Sequence, residues 1–165
     1  MKKILEKYHL FLIAFLLLVS RLFNLKSIPI FTDEAIYAYW SQIALNDPQN
    51  RFISMEDGKQ PLFIWLAAFF QNFVNDPLVA TRLVSVFAGL ASVIGIYYLA
   101  KELFNKKVAI ISALLYLILP FTLIYDRLAL YDSLLTSFGI YALLFAVKMV
   151  KAPSPIFGIL NGIVI

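Results

Sequence analysis

Apolar residues arrive in long runs, and polar residues are confined to short stretches between them. The first run covers about 8–25, interrupted only by Ser20, Arg21 and Asn24. Others follow at about 79–100, 108–125 and 129–147, and one more opens at 155 and is cut off at residue 165. An α-helix needs about 20 apolar residues to cross the hydrocarbon core of a bilayer, so each run predicts a span, the last one the start of a fifth. Residues 26–78 form the long polar-containing region, with Asp33, Glu34, Asp47, Glu56, Asp57, Lys59 and Asp76. The short apolar run at 61–74 inside it is nearer the length of an interfacial or re-entrant helix than of a span. Pro29 discourages the preceding helix from continuing, and Thr32 is the expected N-cap of a new one. Ile36, Tyr37, Trp40, Ile43 and Ala44 then recur at helical spacing as one apolar face, which reads as an interfacial amphipathic helix. The predicted architecture is an all-α integral membrane protein: a multi-span helical bundle with interfacial helices in its first external loop.

Composition fixes the environment. The chain is 62% hydrophobic, 16% aromatic and 15% charged, with a mean hydropathy of +0.84, far from an ordinary soluble domain. Its 165 residues leave no room for a separate soluble domain beside the spans. The net charge of +4 does not point to nucleic acid, because the lysines cluster beside apolar runs instead of forming a basic stripe with aromatic partners. Lys2, Lys3 and Lys7, then Lys101, Lys106 and Lys107, then Lys148 and Lys151 share one side of the membrane if 61–74 does not cross. The positive-inside rule makes that side cytoplasmic and puts 26–78 outside, in a multi-pass protein of the plasma membrane. A secretory signal peptide is the alternative for 8–25, but no small-residue cleavage pattern follows and Arg21 is odd there, so an uncleaved span is expected. There is no cysteine, which excludes disulfides and thiolate metal sites.

With this topology the unusual ionisable residues gather on the outer face: Arg21, Arg82, Arg127 and Asp132 near span ends, joined by Asp33, Glu34 and Lys59. Ionisable groups in spans are costly enough to mark function by default, although a lone arginine can snorkel to the headgroups. Asp33 and Glu34 fall in the first turn of their helix, where the macrodipole favours negative charge, and charge compensation is their bland role. Asp126 and Arg127 form a turn facing outside. Asp132 is placed about one turn inside the fourth span, where its short side chain needs a cation or a water-filled cavity, with Arg127 or Lys59 as partners. His9, at the start of the first span, and the belt of Tyr37, Tyr39 and Trp40 suit the membrane interface. The combined pattern is anionic substrate handling. A secondary transporter would place its charges near mid-membrane on broken helices, and a non-catalytic scaffold would leave the acids with no chemistry. Asp33, Glu34 and Asp132 could offer hard oxygen ligands to a divalent cation, but their spacing defines no site and no metal is assigned.

Four blocks in order, Phe31-Thr32-Asp33-Glu34, Gly58-Lys59-Gln60-Pro61-Leu62, Thr81-Arg82-Leu83-Val84-Ser85 and Arg127-Leu128-Ala129-Leu130-Tyr131-Asp132, resemble the N-terminal part of a polyprenyl-phosphate-sugar glycosyltransferase. The group is that of the protein mannosyltransferases and aminoarabinose transferases in the GT-C superfamily, including glycosyltransferase family 39. The resemblance implies that the first external loop carries the catalytic carboxylate at Asp33, with Glu34 its acidic companion, Lys59 the basic position of the loop and Asp132 a second acid. It implies a polyprenyl-phosphate-sugar donor and a lipid, glycan or protein acceptor. The departing phosphate is a stable anion, so the main need is a base for the acceptor's proton, filled by Asp33. Lys59, Arg82 and Arg127 are the candidates to bind the donor phosphate, and a single displacement would invert the anomeric centre. Gln60 replaces the first proline of the more usual Lys-Pro-Pro. The family's later spans, which complete the lipid and acceptor sites, fall outside this chain, so its activity is expected to need them.

Overall fold

The computed structural model describes residues 2–165, with side chains from Tyr8 onward. Among the described residues there are helices and turns and no strand. The helices are α1 (Lys2–Leu22), α2 (Thr32–Asn46), α3 (Leu62–Gln71), α4 (Pro77–Leu103), α5 (Lys106–Ile118), α6 (Pro120–Tyr125), α7 (Asp132–Lys151) and α8 (Pro155–Val164). Two short 3-10 turns, Pro48–Asn50 and Ile53–Asp57, link α2 to α3.

α4 and α7 are long and apolar enough to cross a membrane. α4 has 27 residues, about 40 Å at the usual rise, and α1, α2, α3, α5 and α7 all pack on it. The Asp76 carboxylate starts it by accepting from the amides of Leu78 and Val79 at 3.0 and 3.2 Å, with Pro77 in the first helical position. Ala80, Ser85, Ala88, Gly89, Ser92 and Gly95 are buried along it. Small residues of this kind let helices approach closely where van der Waals packing must hold them together.

Several boundaries differ from those the hydrophobic pattern predicts. α1 stops at Leu22, and the chain turns through Asn24, whose φ of 48° is a left-handed conformation that asparagine tolerates. The apolar run 108–125 is broken: Leu119 is extended at φ −60° and ψ 127°, because proline disfavours the helical conformation in the residue before it and brings no N–H of its own. α7 begins at Asp132, which therefore opens the helix on its exposed side and does not lie a turn inside it. Its last turn takes in Lys148 and Lys151, where the negative end of the helix dipole favours cations. α3, at 10 residues or about 15 Å, is too short to cross a bilayer.

Two apolar clusters result. One joins α1, α4 and α5 through Leu17, Val93, Tyr97, Ala113 and Tyr116. The other joins α2, α3, α4 and the chain before α7 through Tyr37, Ala44, Phe63, Ile64, Val84 and Leu130. The buried face of α2 runs through Glu34, Tyr37, Ala38, Ser41 and Ala44, whereas Ile36 is 40% exposed, so the helix is rotated from the expected face. Ser41 is held inward because its hydroxyl accepts from the Gln71 amide of α3 at 2.5 Å.

Candidate active site

Phe31, not Thr32, is the N-cap of α2, and its side chain cannot accept a bond. Glu34 supplies the missing interaction: its Oε2 accepts from the Phe31 amide at 3.0 Å. The same carboxylate is fully buried against Arg82 of α4, with Nε to Oε1 and Nη2 to Oε2 both at 2.8 Å, and Oε1 also accepts from the Ala129 amide at 2.6 Å. The remaining guanidinium donors go to the carbonyls of Leu25 at 2.6 Å and Ile28 at 3.0 Å. Burial by itself raises the Glu34 carboxyl, but Arg82 and the amides of Ala129 and Phe31 outweigh it and hold the group below its ordinary value. This pair locks the chain before α2 and the chain before α7 onto α4.

Asp33, one residue away, faces elsewhere. It lines a cleft of about 500 Å³ with Lys59, Tyr37, Tyr131 and Asp132, so three of the six predicted site residues meet there. α2 brings Asp33, the turn after the second 3-10 segment brings Lys59, and the first residue of α7 brings Asp132. Gly58 makes that turn at φ 67°, with its amide and that of Lys59 donating to the carbonyls of Met55 and Ser54. The Tyr131 hydroxyl donates to the Gln60 carbonyl at 3.0 Å and so ties this turn to the start of α7. Tyr131 packs edge-on against Tyr37 at 4.9 Å, and its ring lies tilted against Phe63 at 4.6 Å. Burial and the carboxylates of Asp33, Asp57 and Asp132 raise the Tyr37 phenol, which stays protonated beside the acids. The arrangement offers an acid pair able to take a proton and a lysine able to face an anion.

Glu34, Arg82 and Arg127 are not among the cleft residues. Arg127 donates through Nη2 to the carbonyls of Phe23 and Asn24, each at 2.9 Å, and fastens the turn after α1. It is therefore engaged away from Asp132, for which it was a candidate partner. The Asp126 side chain does not face water as a turn between spans suggested: it is 1% exposed. Its Oδ1 accepts from the hydroxyls of Tyr116 at 3.1 Å and Ser133 at 3.0 Å, while Oδ2 lies 3.5 Å from Nε of the fully buried Arg21. Arg21 Nη1 donates to the Leu117 carbonyl at 3.0 Å, and Nη2 reaches the Tyr116 carbonyl at 3.5 Å. The signal for this pair was present in the sequence, since an arginine inside an apolar run demands an anion and Asp126 flanks another such run.

Among the described residues no three histidine, cysteine or acidic side chains converge to hold a metal ion. Glu34 is withdrawn from the trio considered above by its arginine.

The sequence model of the family described as dolichyl-phosphate-mannose-protein mannosyltransferase matches residues 58–165. That stretch contains Lys59, Arg82, Arg127 and Asp132; Asp33 and Glu34 precede it. No curated protein and no solved structure gives a significant match.

Proposed function

The chain belongs to the dolichyl-phosphate-mannose-protein mannosyltransferase family, and on that premise we propose that the cleft between α2, the Lys59 turn and α7 is where a sugar leaves a polyprenyl-phosphate donor for an acceptor hydroxyl. The observation that carries this reading is the convergence of Asp33, Lys59 and Asp132 on one cleft in a member of a glycosyltransferase family. Asp33 is the general base. An oxygen of the acceptor attacks the anomeric carbon, its proton passes to the Asp33 carboxylate, and the bond from the anomeric carbon to the phosphate oxygen breaks. The electron pair stays on the departing phosphate, whose negative charge the Lys59 ammonium stabilises. A positioned base is worth about two to four orders of magnitude in rate. Attack opposite the phosphate inverts the anomeric centre. Asp132 orients the acceptor or the sugar from the far wall. Glu34 and Arg82 act through the scaffold: they set the first turn of α2, and with it Asp33. The acceptor is a hydroxyl of a lipid, glycan or protein.

The membrane arrangement belongs to the same proposal. α1 and α5 expose Phe11, Phe15, Ile111 and Ile118, large apolar side chains that suit lipid surroundings. With the lysine groups in the cytoplasm, the cleft opens on the outer face of the plasma membrane, and α2 and α3 lie along the interface.

The test is the transfer rate of the full-length protein carrying Asp33→Asn, with saturating polyprenyl-phosphate mannose and at equal membrane abundance. Asparagine keeps the size but cannot take the proton, so the rate falls about a hundredfold or more. A rate within a few-fold of wild type removes Asp33 from the mechanism.

A further inference from the structure

We propose that the buried Arg21–Asp126 pair is a positioning device for Asp132, acting through the hydroxyl of Ser133. This rests on the glycosyl-transfer reading above. Asp126 is referenced to the body of the protein from several directions. Arg21 of α1 faces its Oδ2 at 3.5 Å, and the Tyr116 hydroxyl of α5 donates to its Oδ1 at 3.1 Å. Behind it lies the backbone of α4 at Gly89, where a Cβ would come within 2.5 Å of the Asp126 carboxyl carbon. From that fixed point Oδ1 accepts the Ser133 hydroxyl at 3.0 Å, and Ser133 is the residue directly after Asp132 in the first turn of α7.

Two observations favour placement over bulk stability. The ion pair is loose, with Arg21 Nε and Asp126 Oδ2 both buried and lacking a hydrogen bond, and a buried pair in such geometry recovers little of its desolvation cost. In addition, a cavity of about 140 Å³ lies beside the first turn of α7, lined by Tyr116, Asp126, Asp132, Ser133 and Thr136 among others. It shares Tyr125 and Asp132 with the larger cleft. The turn therefore has room to shift, and the Ser133 hydroxyl is the bond that stops it from the inner side. Asp126 and Ser133 touch no substrate in this scheme; they aim the residue that does.

The test uses the purified full-length protein with polyprenyl-phosphate mannose. Ser133→Ala lowers kcat about tenfold or more, since a misplacement of an ångström near reacting atoms carries a penalty of that order or larger, and leaves the donor KM within about threefold. Ser133→Thr, which keeps the hydroxyl, restores kcat. The double variant Arg21→Met with Asp126→Leu, which removes both charges and the acceptor of the Ser133 hydroxyl, shows the same loss in kcat. Spin labels at Asp57 and Leu135, on either side of the cleft, report a broadened distance distribution in the Ser133→Ala background. Wild-type kcat in Ser133→Ala, or an unchanged distance distribution, overturns the proposal. Absence of transfer by the wild-type protein would instead sink the glycosyl-transfer reading, and the distance measurement would still decide whether Ser133 places α7.

Discussion

Arg82 and Glu34 meet side by side through two 2.8 Å hydrogen bonds, and neither side chain is exposed to solvent. Each partner also satisfies backbone groups that would otherwise be stranded: the carbonyls of Leu25 and Ile28 on one side, the amides of Phe31 and Ala129 on the other. Truncating either leaves a buried charge without its counterion, at a cost of about 3–5 kcal/mol. Glu34→Gln and Arg82→Met are expected to lower the unfolding temperature in detergent sharply. Replacing both with apolar residues is not expected to restore it, because the backbone groups stay unpaired. Recovery of wild-type stability in the double variant would count against this.

The same pair sets an acid limb of stability. The folded Glu34 carboxyl sits below its ordinary value of 4.5, so its contribution is complete above the unfolded value and is lost as pH falls through the lower, folded one. Wild-type protein is expected to lose stability progressively below about pH 4.5. Unfolding midpoints of Glu34→Gln across that range should fall less steeply. Parallel profiles for the two proteins would refute the assignment.

Gly89 is expected to resist even alanine. The added methyl would press on the Asp126 carboxylate at 2.5–2.8 Å, and that carboxylate is held by Arg21, Tyr116 and Ser133. Overpacking of this kind costs about 1–3 kcal/mol. Gly89→Ala in the Asp126→Ala background should recover much of that loss, and a double-mutant cycle on thermal unfolding measures the coupling. Additive effects would show that the contact is relieved elsewhere.

Tyr131→Phe removes the bond to the Gln60 carbonyl and keeps the ring contacts with Tyr37 and Phe63. The expected loss in stability is small, about 0.5–1.5 kcal/mol. The larger effect falls on the Lys59 turn, whose loosening should raise the donor KM more than it lowers kcat. An unchanged KM would mean that Gly58 and its neighbours hold the lysine without help.

Orientation in the membrane is tested with single cysteines, for which the chain offers a clean background because it has none of its own. A cysteine at Asn50 should react with an impermeant reagent in intact cells, and one at Asn105, in the turn between α4 and α5, should not. The reverse pattern would invert the topology.

The helices were legible in the sequence because long apolar runs report the environment of a segment directly. Backbone continuity was not: hydropathy alone reads 108–125 as one span, although Pro120 sits inside it and the helix breaks there. Asp33 and Glu34 read as a pair because they are neighbours in the chain. Adjacent helical residues point about 100° apart, so one acid can face the cleft only if the other turns inward, and the rotation of α2 that decides between them depends on Gln71 and Arg82, far along the chain. Asp126 was misread for a similar reason, since a turn between apolar runs resembles a surface turn until the arginine from α1 is placed against it.

The break at Pro120 has a consequence for what α1 can tolerate. In an uninterrupted helix the carbonyls of Tyr116 and Leu117 would be consumed by amides four residues on. Proline has no amide to offer the first, and the extended Leu119 carries the next turn away from the second, so the Leu117 oxygen is left for the Arg21 guanidinium at 3.0 Å, while the Tyr116 oxygen is shared between the Thr122 hydroxyl and a longer approach of Arg21 at 3.5 Å. The defect in one helix is thus the solvation shell of a charge in another. Repairing it with Pro120→Ala would strengthen α5 locally and take from Arg21 the carbonyls that accompany its pairing with Asp126, so a change that every helix scale scores as favourable should weaken the whole protein. Arg21 and the break at Pro120 are energetically a single unit, joined by a bond between residues 96 apart in the chain that regular secondary structure would have used up.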